Sequence, residues 1–91
     1  MKCLVYAFYN KKVGAYEKPI VNNFQKEDFQ ELVIRDVIVS DNEAKERMKE
    51  CSLYYLGNYD DATGKFELEA NPEFMLDIAP LIIGKENKDV A

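Results

Sequence analysis

The stretch Ser52-Leu53-Tyr54-Tyr55-Leu56-Gly57-Asn58-Tyr59-Asp60-Asp61-Ala62-Thr63-Gly64-Lys65-Phe66-Glu67-Leu68-Glu69 decides the fold. Before the central turn, Leu53, Tyr54, Tyr55, Leu56 and Tyr59 are side chains that fit a pleated, half-buried surface. After it, Phe66 and Leu68 alternate with Lys65, Glu67 and Glu69, the period of a strand with one apolar and one charged face. Asp60 and Asp61 can accept hydrogen bonds from the turn backbone, and Gly64 can take the positive φ that closes it. The reading is a β-hairpin in an antiparallel sheet, with Phe66 and Leu68 on its inward, buried face.

Working outward, Met1 to Asn10 reads as a first strand with two apolar faces, Cys3, Val5, Ala7 and Tyr9 on one and Leu4, Tyr6 and Phe8 on the other. Such a strand belongs in the middle of a sheet with helices over at least one side. Ala15 to Val21 contains Pro19, which has no N–H for a ladder, so it reads as a strap or a short edge strand. Asn22 or Asn23 can cap a helix running to about Val39, with Phe29, Leu32, Val33 and Val37 as its apolar stripe. In isolation Val37-Ile38-Val39 is also a strand pattern, but it continues the helical period. Ser40 with Glu43 has the form of a capping box, which predicts a short polar helix leading to the hairpin. Asn71-Pro72-Glu73 has the form of another helix start, with Phe74, Leu76 or Ile78 docking that helix and Pro80 limiting it.

The fold class is therefore α+β: an antiparallel sheet of three main strands, with a fourth short edge strand available from the strap, and helices packed on one face. Residues 1–83 are expected to form a single domain, and 84–91 a frayed polar tail. Ninety-one residues with 47% hydrophobic side chains can build a core, although a chain this short buries only about 60–65% of its unfolded surface. No apolar run approaches the ~20 residues needed to span a bilayer, and Met1-Lys2 leads directly into the strand pattern, so no membrane partner is expected and a cytosolic location is. Cys3 and Cys51 are expected to stay reduced.

The chain has no histidine. That removes the commonest general base, the commonest metal ligand and the His-dependent triads. Asp60-Asp61 could hold a cation, but hairpin geometry accounts for Asp60, Asp61 and Gly64 as turn residues, and an EF-hand loop cannot be laid onto Asp60 to Glu69. No catalytic residue, metal site or cofactor is expected, and the chain is expected not to be an enzyme. A net charge of −5 argues against generic DNA coating, which depends on Lys and Arg displacing phosphate counterions. Any nucleic-acid contact must be local. The candidates are Lys11, Lys12, Tyr16 and Lys18 around the strap, with Tyr54 and other sheet tyrosines (Tyr6, Tyr9, Tyr55) as faces for unpaired bases. The competing reading makes these tyrosines core-edge residues. Lys45, Arg47 and Lys49 are interleaved with Glu43, Glu46 and Glu50, which describes a solvated helix.

The order of the pieces carries a resemblance. Leu4-Val5-Tyr6-Ala7, Lys12-Val13-Gly14-Ala15-Tyr16, the Pro19-led segment, the Asn-capped helix and Leu53 to Asp61 running into Thr63-Gly64-Lys65-Phe66 together resemble the small nonstructural protein of gokushovirus-type microviruses. Those are phages with small circular single-stranded DNA genomes. The resemblance covers about residues 1–70, with its own polar insertion from Ser40 to Cys51. It implies a phage-encoded protein of the host bacterial cytoplasm, absent from the mature virion, that acts in viral single-stranded DNA replication or genome packaging. Weak contact with single-stranded DNA and partnership with phage or host replication or packaging proteins go with that role. The alternative is a pure protein-interaction module, a homodimer or an adaptor to a replication protein, with no DNA contact.

Overall fold

The computed structural model describes residues 2–82; the tail expected at 84–91 lies outside them. Seven elements follow in order: β1 (Lys2–Asn10), β2 (Ala15–Tyr16), β3 (Ile20–Asn22), α1 (Lys26–Val39), α2 (Asn42–Met48), β4 (Cys51–Asp60) and β5 (Lys65–Asp77). Residues 79–82 begin a further helical turn. The sheet is antiparallel in the order β2-β1-β4-β5, with β3 on the same edge of β1 as β2. Three long strands and a strap broken at Pro19 into two short edge pairings make the α+β fold read from the sequence.

Antiparallel partners share a face of the sheet, so the register sorts the side chains. Leu4, Tyr6 and Phe8 of β1 stand with Leu53 and Tyr55 of β4 and Leu76 of β5 on one face. There they meet Phe29, Val33 and Val37 of α1, with Ile78 and Ile82, in the buried core. Tyr6 is central: its ring stacks on Phe29 with centroids 4.3 Å apart, and its hydroxyl donates to the Phe24 carbonyl at 2.7 Å. Burial, then the neighbouring Tyr55 and Asp28, push the Tyr6 hydroxyl up to about 12.

Leu56 is an extra residue in β4 between the pairs Tyr6↔Tyr55 and Val5↔Gly57. This β-bulge keeps Tyr55 and Gly57 on opposite faces across one additional residue. Gly57 has φ 147°, and a Cβ there would lie 2.3 Å from the Glu67 carbonyl oxygen and 2.7 Å from Leu68 Cα. Only glycine fits. Opposite the same bulge, four residues of β5 (69–72) swing out between Leu68 and Glu73.

Several local expectations are corrected. Asn71-Pro72-Glu73 starts no helix. It belongs to β5, where Pro72 needs no ladder partner because it sits in the outward excursion, and Phe74 and Leu76 pair with Tyr54 and Leu53. Pro80 accordingly lies within the helical turn 79–82 instead of limiting a longer helix. The residue before α1 is Gln25, with no side-chain cap; Asn22 instead accepts from the Phe24 N–H at 3.0 Å and Asn23 from the Cys3 thiol at 3.2 Å. Asp41, not Ser40, caps α2, accepting from the Ala44 N–H at 2.8 Å. Leu32 lies at the margin of the α1 stripe and stays exposed. Phe66 and Leu68, expected inward, are 55% and 62% exposed. They share a face with Tyr59 and Gly57, away from α1.

Candidate nucleic-acid interface

The face of the sheet turned away from α1 holds Cys3, Val5, Ala7 and Tyr9 of β1, Tyr16, Val21, Tyr54 and Tyr59, and Phe66, Leu68 and Phe74 of β5. Among the described residues no helix covers it. Val5 and Ala7 are buried beneath their larger neighbours, while Tyr16, Val21, Phe66, Leu68 and Phe74 are all exposed.

Near the β1–β2 turn the register builds an aromatic row. Tyr9 lies opposite Tyr16, Ala7 opposite Tyr54, and Tyr54 opposite Phe74. Ala7 offers only a methyl group, so rings from the two strands that flank β1 can meet above it. Tyr16 and Tyr54 do so, with centroids 5.6 Å apart at 77°. Tyr9 stands 4.9 Å from Tyr16 at 65°, and Phe74 stands 5.7 Å from Tyr54 at 76°. These are edge-to-face contacts, which suit the ring quadrupole. Desolvation, then Tyr54 and Tyr9, push the Tyr16 hydroxyl above its ordinary value.

The candidate cations are divided by the fold. Lys11 flanks the row, but its Nζ lies 3.0 Å from Asp77 Oδ1. Ser52 also donates to that oxygen. The Ser52 hydrogen bond and then Lys11 hold the Asp77 carboxyl below its usual value. Lys12 sits in the turn after β1, where Asn10 Oδ1 accepts from the Lys12 and Val13 N–H groups at 3.0 and 3.2 Å. It lines a surface groove with Glu17, Glu43, Glu46, Arg47 and Glu50, where acids outnumber bases. Lys18 is exposed in the segment between β2 and β3. Thus Tyr16 and Tyr54 come together, Lys11 stands beside them in an ion pair, and Lys12 and Lys18 are exposed in the adjoining turn and strap.

Tyr6 and Tyr55 are removed from consideration as base platforms: both are buried in the core, and Lys26 Nζ lies 4.2 Å above the Tyr55 ring. Phe74 is the member that sequence reasoning placed on a helix. No period-two spacing marked it: Phe74 and Leu76 face opposite sides of the sheet because the register shifts between Leu53 and Tyr54. A second aromatic pair, Tyr59 and Phe66 with centroids 4.6 Å apart, lies farther along the same face.

At the hairpin tip Asp60 Oδ1 accepts from the Ala62 N–H at 2.9 Å, the Asp60 carbonyl accepts from the Gly64 N–H at 2.7 Å, and Gly64 takes φ 73°; Asp61 is exposed in the same turn. Among the described residues no three His, Cys, Asp or Glu side chains converge as a metal site, and no helix is long and apolar enough to cross a membrane.

No curated protein and no solved structure matches the chain. A family model does: that of the Phage ORF5 protein matches residues 3–81, nearly all of the described structure. The match takes in every strand, both helices and all members of the aromatic row, and the chain belongs to the Phage ORF5 protein family.

Proposed function

We propose that this phage protein is a non-enzymatic accessory factor in the replication or packaging of a single-stranded DNA genome, acting in the cytoplasm of the infected bacterium and left out of the mature virion. We infer that it touches single-stranded DNA weakly through the row Tyr9, Tyr16, Tyr54 and Phe74. The observation that carries the reading is this row itself, with Tyr16 and Phe74 exposed and Tyr9 and Tyr54 half-buried, on a sheet face that no described helix covers. A base stacked on an aromatic side chain gains about 1–3 kcal/mol without regard to sequence. A duplex keeps its bases paired and presents a denser line of phosphates to a chain of net charge −5. With Lys11 held by Asp77, few phosphates are neutralised, so the expected affinity is micromolar or poorer.

A second reading has its own support. Of the paired positions on the uncovered face only Asp77 is charged, and such a face suits a protein partner as well as a base. Fluorescence anisotropy with a labelled oligonucleotide separates the two. Preference for single-stranded over duplex DNA supports direct contact. No binding at tens of micromolar protein in low salt leaves the protein-interaction module.

A further inference from the structure

The sheet ends at β5, which pairs with β4 on one side and with nothing among the described residues on the other. An open edge of this kind presents unpaired N–H and C=O groups to any strand that fits. Its middle is blunted by the excursion of residues 69–72 with Pro72. The stretch Lys65 to Leu68 is regular, in unbroken register with Asp60 to Gly57, and Glu69 ends it where the excursion begins.

That stretch is complementary to itself. Laid antiparallel against a second copy about Glu67, Lys65 faces the partner's Glu69 and Phe66 faces the partner's Leu68, each twice by symmetry. The central like-charged contact, Glu67 facing the partner's Glu67, is relieved in each copy by Lys2, whose Nζ lies 3.5 Å from the Glu67 carboxylate. The pleat allows few other registers, because facing residues must share a face of the sheet. Centring on Leu68 sets Glu67 against the partner's Glu69 twice. Centring on Phe66 sets Lys65 against the partner's Glu67 twice, but it runs Leu68 onto the turn at Gly64 and leaves Glu69 facing the turn, so that Glu69→Lys would not weaken a dimer of that register. The exposed Phe66 and Leu68 would then form one apolar strip across the two-fold axis, and the Tyr9–Phe74 row would stay open in each copy.

We propose that the protein forms a two-fold dimer in which the β5 edges of two copies pair antiparallel, centred on Glu67. Opposite charges facing across strands attract and like charges repel. Reversing one charge therefore weakens the dimer at two places.

Sedimentation velocity on the full chain tests this with the parent, Lys65→Glu, Glu69→Lys and an equimolar mixture of the two variants. The parent should sediment as a species of twice 10.5 kDa, and each variant should self-associate roughly tenfold more weakly. The mixture should associate about as tightly as the parent, because in the mixed dimer each reversed charge meets its opposite. Both positions are exposed; should Lys65→Glu disturb its hairpin neighbour Asp60, Glu69→Lys alone still reads the register. A parent monomeric at several hundred micromolar, variants that dimerise as well as the parent, or a mixture no tighter than either variant would each overturn the proposal.

Discussion

Tyr16 and Tyr54 stand on strands that flank β1 on either side, yet their ring centroids are 5.6 Å apart. Strands two positions apart in a sheet are separated by about 9.5 Å, so the rings lean toward one another over Ala7, which is fully buried. A larger residue at Ala7 would hold them apart. This juxtaposition makes a continuous aromatic surface from residues that are distant in the sequence.

The bulge in β4 makes a sharp prediction. Gly57→Ala combines a strained positive φ with a close approach to the Glu67 carbonyl, and should destabilise the fold by about 3 kcal/mol or more. Gly64→Ala, at φ 73° with nothing within 4 Å of the added Cβ, should cost only about 1 kcal/mol. Urea denaturation of both variants checks the contrast, and equal costs would mean that β5 does not cross so close to Gly57.

The two faces of the sheet should respond oppositely to truncation. Leu53 is 0% exposed, and Leu53→Ala should cost about 2–5 kcal/mol. Phe66→Ala, on the uncovered face, should cost about 1 kcal/mol or less, much of it the contact with Tyr59. Thermal melts in dilute solution, where association is least, decide it. A large loss for Phe66→Ala would mean that this face is covered in the native protein.

Tyr6 sets an alkaline limit. Its hydroxyl is raised from 10.0 to about 12 in the fold, so the native state holds its proton where the unfolded chain gives it up. The stabilisation is complete below pH 10 and falls as pH rises toward 12. Tyr6→Phe should cost about 1 kcal/mol at neutral pH through the lost bond to the Phe24 carbonyl and should flatten the decline above pH 10. Urea midpoints across pH 8 to 12 for parent and variant measure both effects.

The cysteines should differ in reactivity. Both are free, with Cys3 half-buried and Cys51 buried. Burial, then Glu17 and Glu50, push the Cys51 thiol above its usual value. Native-state alkylation followed by mass spectrometry should label Cys3 first and reach Cys51 only on unfolding, with two thiols in total.

The sequence made the hairpin legible because its signals are local: alternation after the turn, and Asp and Gly within it. The central place of β1 was equally plain from its two apolar faces. What could not be read was which face α1 would cover. Period-two spacing shows that Phe66 and Leu68 share a side, but their side was set by the Leu56 bulge and by pairing with Tyr59 and Gly57. Asn71-Pro72-Glu73 imitates a helix start, and the long-range pairs Tyr54↔Phe74 and Leu53↔Leu76 overrode it. The same override hid Phe74 from the candidate site. Tyr16 and Tyr54 were legible as aromatics suited either to a base or to a core edge, whereas the ion pair that occupies Lys11 depends on Asp77, which pairs only once β5 is a strand.

The most direct measurement of the central claim is the affinity of the protein for single-stranded DNA across a salt series, with Tyr16→Ala and Tyr54→Ala beside the parent. Stacking without many phosphate contacts predicts a log–log salt slope of only about −1 to −3 for the parent. Each tyrosine variant should bind roughly tenfold more weakly, or worse, with its slope nearly unchanged. Lys11→Glu together with Lys12→Glu should weaken binding and flatten the slope. Tyrosine variants that bind as well as the parent, or a protein that binds duplex as tightly as single strands, would contradict the account.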